Sequence, residues 1–150
     1  MVDREQSIKM VDVSGKKMVK RYAEAVGDII LQSETSKKIR AGTTKKGNVL
    51  AVAETAGILA AKKTSEIIPL CHQIPLTSVE VKFEFNDTGI HAICGVSAIY
   101  VTGVEMEALV GVTTALLSIW DMVKYLEKDS EGQYPHARLG NIRVTTKRKG

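Results

Sequence analysis

The stretch Val79-Glu80-Val81-Lys82-Phe83-Glu84-Phe85, followed by Asn86-Asp87-Thr88-Gly89 and then by residues 90–101, decides the fold. Val79, Val81, Phe83 and Phe85 alternate with Glu80, Lys82 and Glu84. A period of two puts the apolar side chains on one face of a strand and the charges on the other. Asn-Asp-Thr-Gly is turn chemistry, so Ile90 to Val101 reads as the returning strand of a hairpin. The apolar face of that hairpin needs a cover. One lies just downstream: after Gly103, Leu109, Val112, Leu116, Ile119, Val123 and Leu126 recur at spacings of three and four, the stripe of an amphipathic helix.

Upstream, Pro69 and Pro75 bracket Leu70-Cys71-His72-Gln73-Ile74, and two prolines so close exclude a regular element. A helix is expected from Asn48, a good capping residue, to the lysines Lys62 and Lys63, whose charge suits a helix C-terminus. Ser33 or Thr35 caps a short helix that Gly42 ends. Met10 to Leu31 fits two periods. Met18, Val19, Tyr22, Val26, Ile29 and Ile30 make a helical stripe, whereas Val19, Arg21, Ala23, Ala25, Gly27, Ile29 and Leu31 alternate. Periodicity alone leans to helix, although Gly27 weakens that reading. Residues 1–9 read as a loose arm. Asp129 to Asn141, with Gly132, Pro135 and Gly140, reads as a polar loop, followed by a short strand over 141–146 and a basic tail. The order suits an α+β sandwich, with helices on one face of an antiparallel sheet.

A chain of 150 residues is expected to form one domain, spanning 1–150, with a real core. With 44% hydrophobic and 25% charged residues it has the mix of a soluble globule. No uninterrupted apolar run approaches the ~20 residues of a membrane helix, and acids among residues 1–5 do not suit a signal peptide. A cytoplasmic location is expected. Cys71 and Cys94 are not in a CxxC, and Cys71-His72 has no second ligand cluster, so neither a disulfide nor a metal site is expected. Lys and Arg outnumber Asp and Glu by 21 to 17, which favours an anionic partner. The basic residues cluster at Lys37, Lys38, Arg40, Lys45 and Lys46, and again at Arg143, Lys147, Arg148 and Lys149. On charge alone these read as a solvated loop and a frayed tail.

Three features could carry chemistry. At 100° per residue, Glu107, Thr114 and Asp121 fall within about 40° of one another, and Lys124 is one turn from Asp121. Helix periodicity reads this as a wet face with a surface ion pair. Trp120, Met122 and Val123, however, set Asp121 among large apolar side chains, where burial would raise its proton affinity. An acid beside a lysine in such a place is a candidate acid/base pair. His72 sits in the doubly proline-bracketed loop. Lys46 precedes Gly47-Asn48 at a helix start, where backbone N–H groups and a lysine suit phosphate. No P-loop, dinucleotide, GxSxG, HExxH or EF-hand pattern occurs.

Lys46-Gly47-Asn48-Val49-Leu50, Ala56-Gly57-Ile58, Ala60-Ala61-Lys62, Ile68-Pro69-Leu70-Cys71-His72, Thr102-Gly103-Val104-Glu105-Met106-Glu107-Ala108-Leu109 and Asp121-Met122-Val123-Lys124 occur in order. Together they resemble the cyclic pyranopterin monophosphate synthases, molybdenum-cofactor biosynthesis protein C. Val11-Asp12-Val13-Ser14 and Ser33-Glu34-Thr35 extend the match, which covers about residues 10–128. The resemblance implies a ferredoxin-like α+β fold in which residues 18–31 form a strand. It implies a lyase that rearranges a cyclised dihydro-GTP into a pyranopterin, closes a cyclic phosphate and releases pyrophosphate without a cofactor. It also implies a homohexamer built from dimers, with the site at a dimer interface.

By that resemblance Asp121 matches the catalytic aspartate, and Lys124 and Lys46 match the essential lysines. Leu70, Cys71 and His72 match a substrate-binding loop. Met106 and Glu107, with Glu105 beside them, match a second substrate-binding segment, and Arg21 matches an arginine that meets the phosphates. The tail lysine match falls on Lys147. Two departures stand out: Gln73-Ile74 replaces the usual Pro-Leu, and residues 130–137 look inserted. Two rival readings remain. A nucleic-acid-binding module would explain the basic charge, but aromatics are only 5% and no strand offers a stacking platform. A small oligomeric scaffold would leave residues 46, 72, 107, 121 and 124 without a common pocket.

Overall fold

The computed structural model describes residues 6–150. The elements run β1 (Val19–Ile30), α1 (Ser33–Ala41), α2 (Val49–Lys62), α3 (Thr64–Ile67), β2 (Leu76–Asn86), β3 (Gly89–Tyr100), α4 (Glu105–Glu127) and β4 (Arg138–Lys149). Four antiparallel strands form one sheet in the order β2-β3-β1-β4. This is the α+β, ferredoxin-like architecture. The β2–β3 hairpin forms as its alternation dictates: Val81 pairs with Cys94 and Phe83 with Ala92, and Asn86 Oδ1 accepts the N–H groups of Thr88 and Gly89 in the turn.

β1 is a strand, against its helical period. It lies between β3 and β4 and pairs along its length with both, and that pairing overrides a period carried by residues on both faces. Ala23, Ala25 and Ile29 are fully buried beneath the helices. Gly27 is explained by close approach: a Cβ there would lie 2.8 Å from Leu116 Cδ1 of α4. The glycine that weakens the helical reading is what lets α4 settle on the sheet.

On α4 the buried stripe is Ala108, Gly111, Val112, Ala115, Leu116, Ile119, Met122 and Val123. Leu109 and Leu126 flank it, half-buried. By length and composition α4 is apolar enough to cross a membrane, more so than its uninterrupted runs suggest, yet half of its most apolar window is buried against the rest of the fold. The rest of α4's buried face is polar at both ends. Glu107 sits near the start. At the other end Glu127 Oε2 accepts from the Gln32 N–H at 3.0 Å and from the Thr35 hydroxyl, which ties α1 to the end of α4.

α3, which periodicity does not announce, fills the gap between α2 and the proline loop. β4 is twelve residues long rather than a short strand with a frayed tail. Ala23 pairs with Lys147, Tyr22 with Arg148 and Arg21 with Lys149. Long cationic side chains on an edge strand keep water on an otherwise adhesive edge. The inserted-looking loop is anchored, with Tyr134 packed 5.4 Å from the Trp120 ring.

Candidate active site

Lys46, Asp121 and Lys124 form one cluster. Asp121 Oδ1 lies 3.3 Å from Lys124 Nζ, and Oδ2 lies 3.4 Å from Lys46 Nζ. Lys46 also donates to the Asp121 carbonyl at 3.3 Å. The i,i+3 spacing on α4 brings the first pair together. The second needs the turn before α2. There Thr44 donates to the Gly47 carbonyl at 2.7 Å, and Gly47 takes a left-handed φ of 104°. Asn48 caps α2 by accepting from the Ala51 N–H. Tyr125, one turn beyond Asp121, accepts the Lys45 N–H at 2.7 Å, with the Lys45 ammonium over its ring. Sequence reading missed Tyr125 as a positioning group, although it shares a helix face with Asp121.

Asp121 is exposed, its side chain 61% accessible, and not buried by Trp120. Trp120 turns toward Tyr134 instead. The Asp121 carboxyl is therefore held below its ordinary range, first by the hydrogen bond from Lys124 and then by Lys46. It is a firm carboxylate clamped by two ammonium groups. Exposed ion pairs of this kind contribute little to folding.

The other predicted residues gather near the opposite end of α4. Glu107 is buried, 3% accessible, in the first turn. Burial is the main cause that raises its proton affinity, its own N–H opposes this, and Glu105 adds to it. Cys71 lies near enough to feel its charge: the thiol is pushed up, first by burial and then by Glu107. Glu105 Oε2 lies 3.6 Å from Lys147 Nζ, which brings β4 to this end. Arg21 is nearly buried and donates to the carbonyls of Val101 at 3.2 Å and Tyr100 at 3.4 Å. Two of its five N–H groups are thereby engaged. Leu70 and Met106 are exposed. His72 Nε2 lies 2.5 Å from the Val11 carbonyl oxygen. A groove of about 720 Å³ runs between residues 10–18, His72, Tyr100 and Val101.

Two clusters thus stand apart. Glu107 and Asp121 are fourteen residues apart on one straight helix, about 21 Å along its axis at 1.5 Å per residue. The groove beside His72 is lined by none of Lys46, Glu107, Asp121 and Lys124. Among the described residues, no group of three or more His, Cys, Asp and Glu residues is placed to hold a metal ion.

Comparison with known proteins gives these clusters their context. The MoaC family matches residues 10–150. The chain is 60% identical over 146 residues to a Thermococcus kodakarensis protein named "Probable cyclic pyranopterin monophosphate synthase", covering 97% of this chain and 94% of that one. A Pyrococcus furiosus protein of the same name is 58% identical over 97% of this chain and 93% of its own length. One from Methanosarcina mazei is 54% identical over 95% and 90%. Both clusters lie within the matched residues, and the chain belongs to the MoaC family.

Proposed function

We propose that this chain is a cyclic pyranopterin monophosphate synthase of molybdenum-cofactor biosynthesis. It converts (8S)-3',8-cyclo-7,8-dihydroguanosine 5'-triphosphate to cyclic pyranopterin monophosphate, with release of pyrophosphate, as one lyase domain that uses no cofactor. The observation that carries the reading is one exposed carboxylate, Asp121, clamped between the ammonium groups of Lys46 and Lys124. Ring opening and closing move protons on and off nitrogen and oxygen, and Lys124 serves as the acid/base for them. Asp121, already ionised, holds that ammonium in place and tunes or relays its proton. In the last step a sugar-derived oxygen bonds to the α-phosphorus while the bridge to the β-phosphate breaks. The pyrophosphate that leaves carries the bridging electrons, and Lys46, Arg21 and Lys147 offset its charge. Leu70, Cys71, His72, Glu105, Met106 and Glu107 hold the base and sugar.

In one chain Lys147 lies beside Glu105, whereas Lys46, Asp121 and Lys124 cluster about 21 Å from Glu107 along α4, a gap too wide for one compact nucleotide to bridge. The reading therefore includes a second copy. A twofold dimer that sets the lysine–aspartate cluster of one protomer against the His72–Glu107 cluster of its partner makes two complete sites. Exposed apolar side chains beside both clusters support such an interface: Val52 and Leu117 by the first, Leu70 and Met106 by the second. Three such dimers make the cytoplasmic homohexamer expected for this family. The test is direct. Purified protein incubated with the cyclised dihydro-GTP should release one pyrophosphate per pterin, the pterin fluorescing after oxidation. Persistence of the substrate with no pterin would overturn the proposal.

A further inference from the structure

The stretch Met10–Lys16 is not part of any element, yet it is fixed against His72. The His72 Nε2 lies 2.5 Å from the Val11 carbonyl oxygen. A carbonyl oxygen only accepts, so Nε2 must carry the proton of that bond. The other ring nitrogen, Nδ1, is then the one left for a substrate. Asp12 follows, and its carboxylate is in turn fixed by the Ser14 N–H at 2.9 Å. Lys16 N–H closes a turn on the Val13 carbonyl at 3.1 Å. Little else holds this arm, because Met10 and Val11 are 53% and 64% exposed. Its inner side walls the groove whose far side is Tyr100 and Val101, the residues whose carbonyls take the Arg21 guanidinium. The arm therefore touches the ring of one predicted substrate-binding residue and sits across a groove from the backing of another.

We propose that Val11 and Asp12 are positioning residues, and that the arm acts through His72 by fixing its ring orientation and its Nε2-protonated tautomer, so that Nδ1 faces the substrate. The inference rests on the proposed function for its catalytic meaning, and on the arm–ring contact for its geometry. A group that sets the tautomer of a catalytic or binding histidine is a known way of making the other nitrogen selective. Here the setting group is a main-chain carbonyl, so no side-chain pattern in residues 10–14 reveals it.

The bond can be read without substrate. The chain has only three histidines, His72, His91 and His136. In the full-length protein at pH 8, long-range proton–nitrogen correlation should show His72 protonated at Nε2, with a ring N–H resonance protected from exchange. His72→Gln identifies the signal by its loss. Removal of residues 1–12 should abolish the protected resonance and leave those of His91 and His136 unmoved. Val11→Gly with Asp12→Gly, which keeps the arm but loosens it, should weaken the resonance in the same way if the truncated chain fails to fold. In turnover of the cyclised dihydro-GTP, truncation should cost about 10–100-fold in kcat/KM. Truncation combined with His72→Ala should cost no more than His72→Ala alone, because both remove one interaction. A His72 protonated at Nδ1, a ring signal indifferent to the arm, or fully additive losses would each overturn the inference. A wild-type chain that turned over nothing would sink the proposed function while the resonance still reported on the arm.

Discussion

Gly111→Ala is the sharpest test of how the helices are seated. α2 and α4 meet through small side chains, with Gly57, Ala60 and Ala61 facing Ala108, Gly111 and Ala115. A Cβ at Gly111 would stand 2.7 Å from Cys94 Sγ, 3.3 Å from the Gly57 carbonyl oxygen and 3.4 Å from Ala61 Cβ. Cys94 is fully buried on β3, and its short side chain has nowhere to retreat. Restoring ordinary contact needs a shift of α4 by about 1 Å, and overpacking of this kind costs about 1–3 kcal/mol. Alanine in place of glycine in a helix returns about 0.8–1.0 kcal/mol. The steric effect outweighs the gain in helix propensity, and the net is a loss of up to about 2 kcal/mol. Urea unfolding followed through Trp120, the single tryptophan, measures it. With Cys94→Ala in the background, the same Gly111→Ala change should become neutral or stabilising. A stabilising effect in the native background, or an equal loss with and without the sulfur, would refute the reasoning.

Other expectations follow from single side chains. Lys124→Ala should abolish turnover while leaving binding of a triphosphate analogue measurable by calorimetry, and normal turnover would remove the acid/base role. Burial holds the Glu107 carboxyl above its ordinary 4.5, so the folded chain binds that proton more tightly than the unfolded chain. Stability is thus lost as pH rises from 4.5 through the raised value, and Glu107→Gln should be the more stable protein at pH 7, with the gain gone near pH 4. The same variant should turn over more slowly, which separates stability from function. Glu127→Ala removes the acceptor shared by the Gln32 N–H and the Thr35 hydroxyl, for about 2–4 kcal/mol, and hydrogen exchange should show α1 loosened first.

The hairpin, α2 and α4 were legible because each has one buried face and therefore one period. β1 was not legible by periodicity. A central strand has partners on both edges and apolar residues on both faces, and such a strand can mimic a helix over a dozen residues. The resemblance, not the period, identified it. Asp121 and Glu107 exchange the environments that neighbours in sequence suggest. Asp121 follows Trp120, but Trp120 packs on Tyr134 from the inserted loop, and no local pattern foretells that contact. Glu107 shares the wet face of α4 by angle, yet it is buried, and Cys71 of the proline-bracketed loop feels its charge. The basic tail looked frayed because charge masks a strand whose partners, Arg21 to Ala23 for Lys147 to Lys149, lie at the other end of the sequence. The lysine–aspartate trio was half visible: i,i+3 spacing gives Asp121 and Lys124, whereas Lys46 comes from a turn 75 residues upstream.

The claim that each working centre is shared between two protomers is tested most directly by mixing two dead variants. Lys124→Ala removes one cluster, and His72→Ala combined with Glu107→Gln removes the other, so each protein alone should be inactive. Unfolded together in equal amounts and refolded, each shared site draws its two halves independently, and about a quarter of the sites should be intact. The account predicts recovery of about a quarter of native turnover. Failure of the mixture to regain any turnover, from a control of native chains that refolds to full turnover, would contradict it.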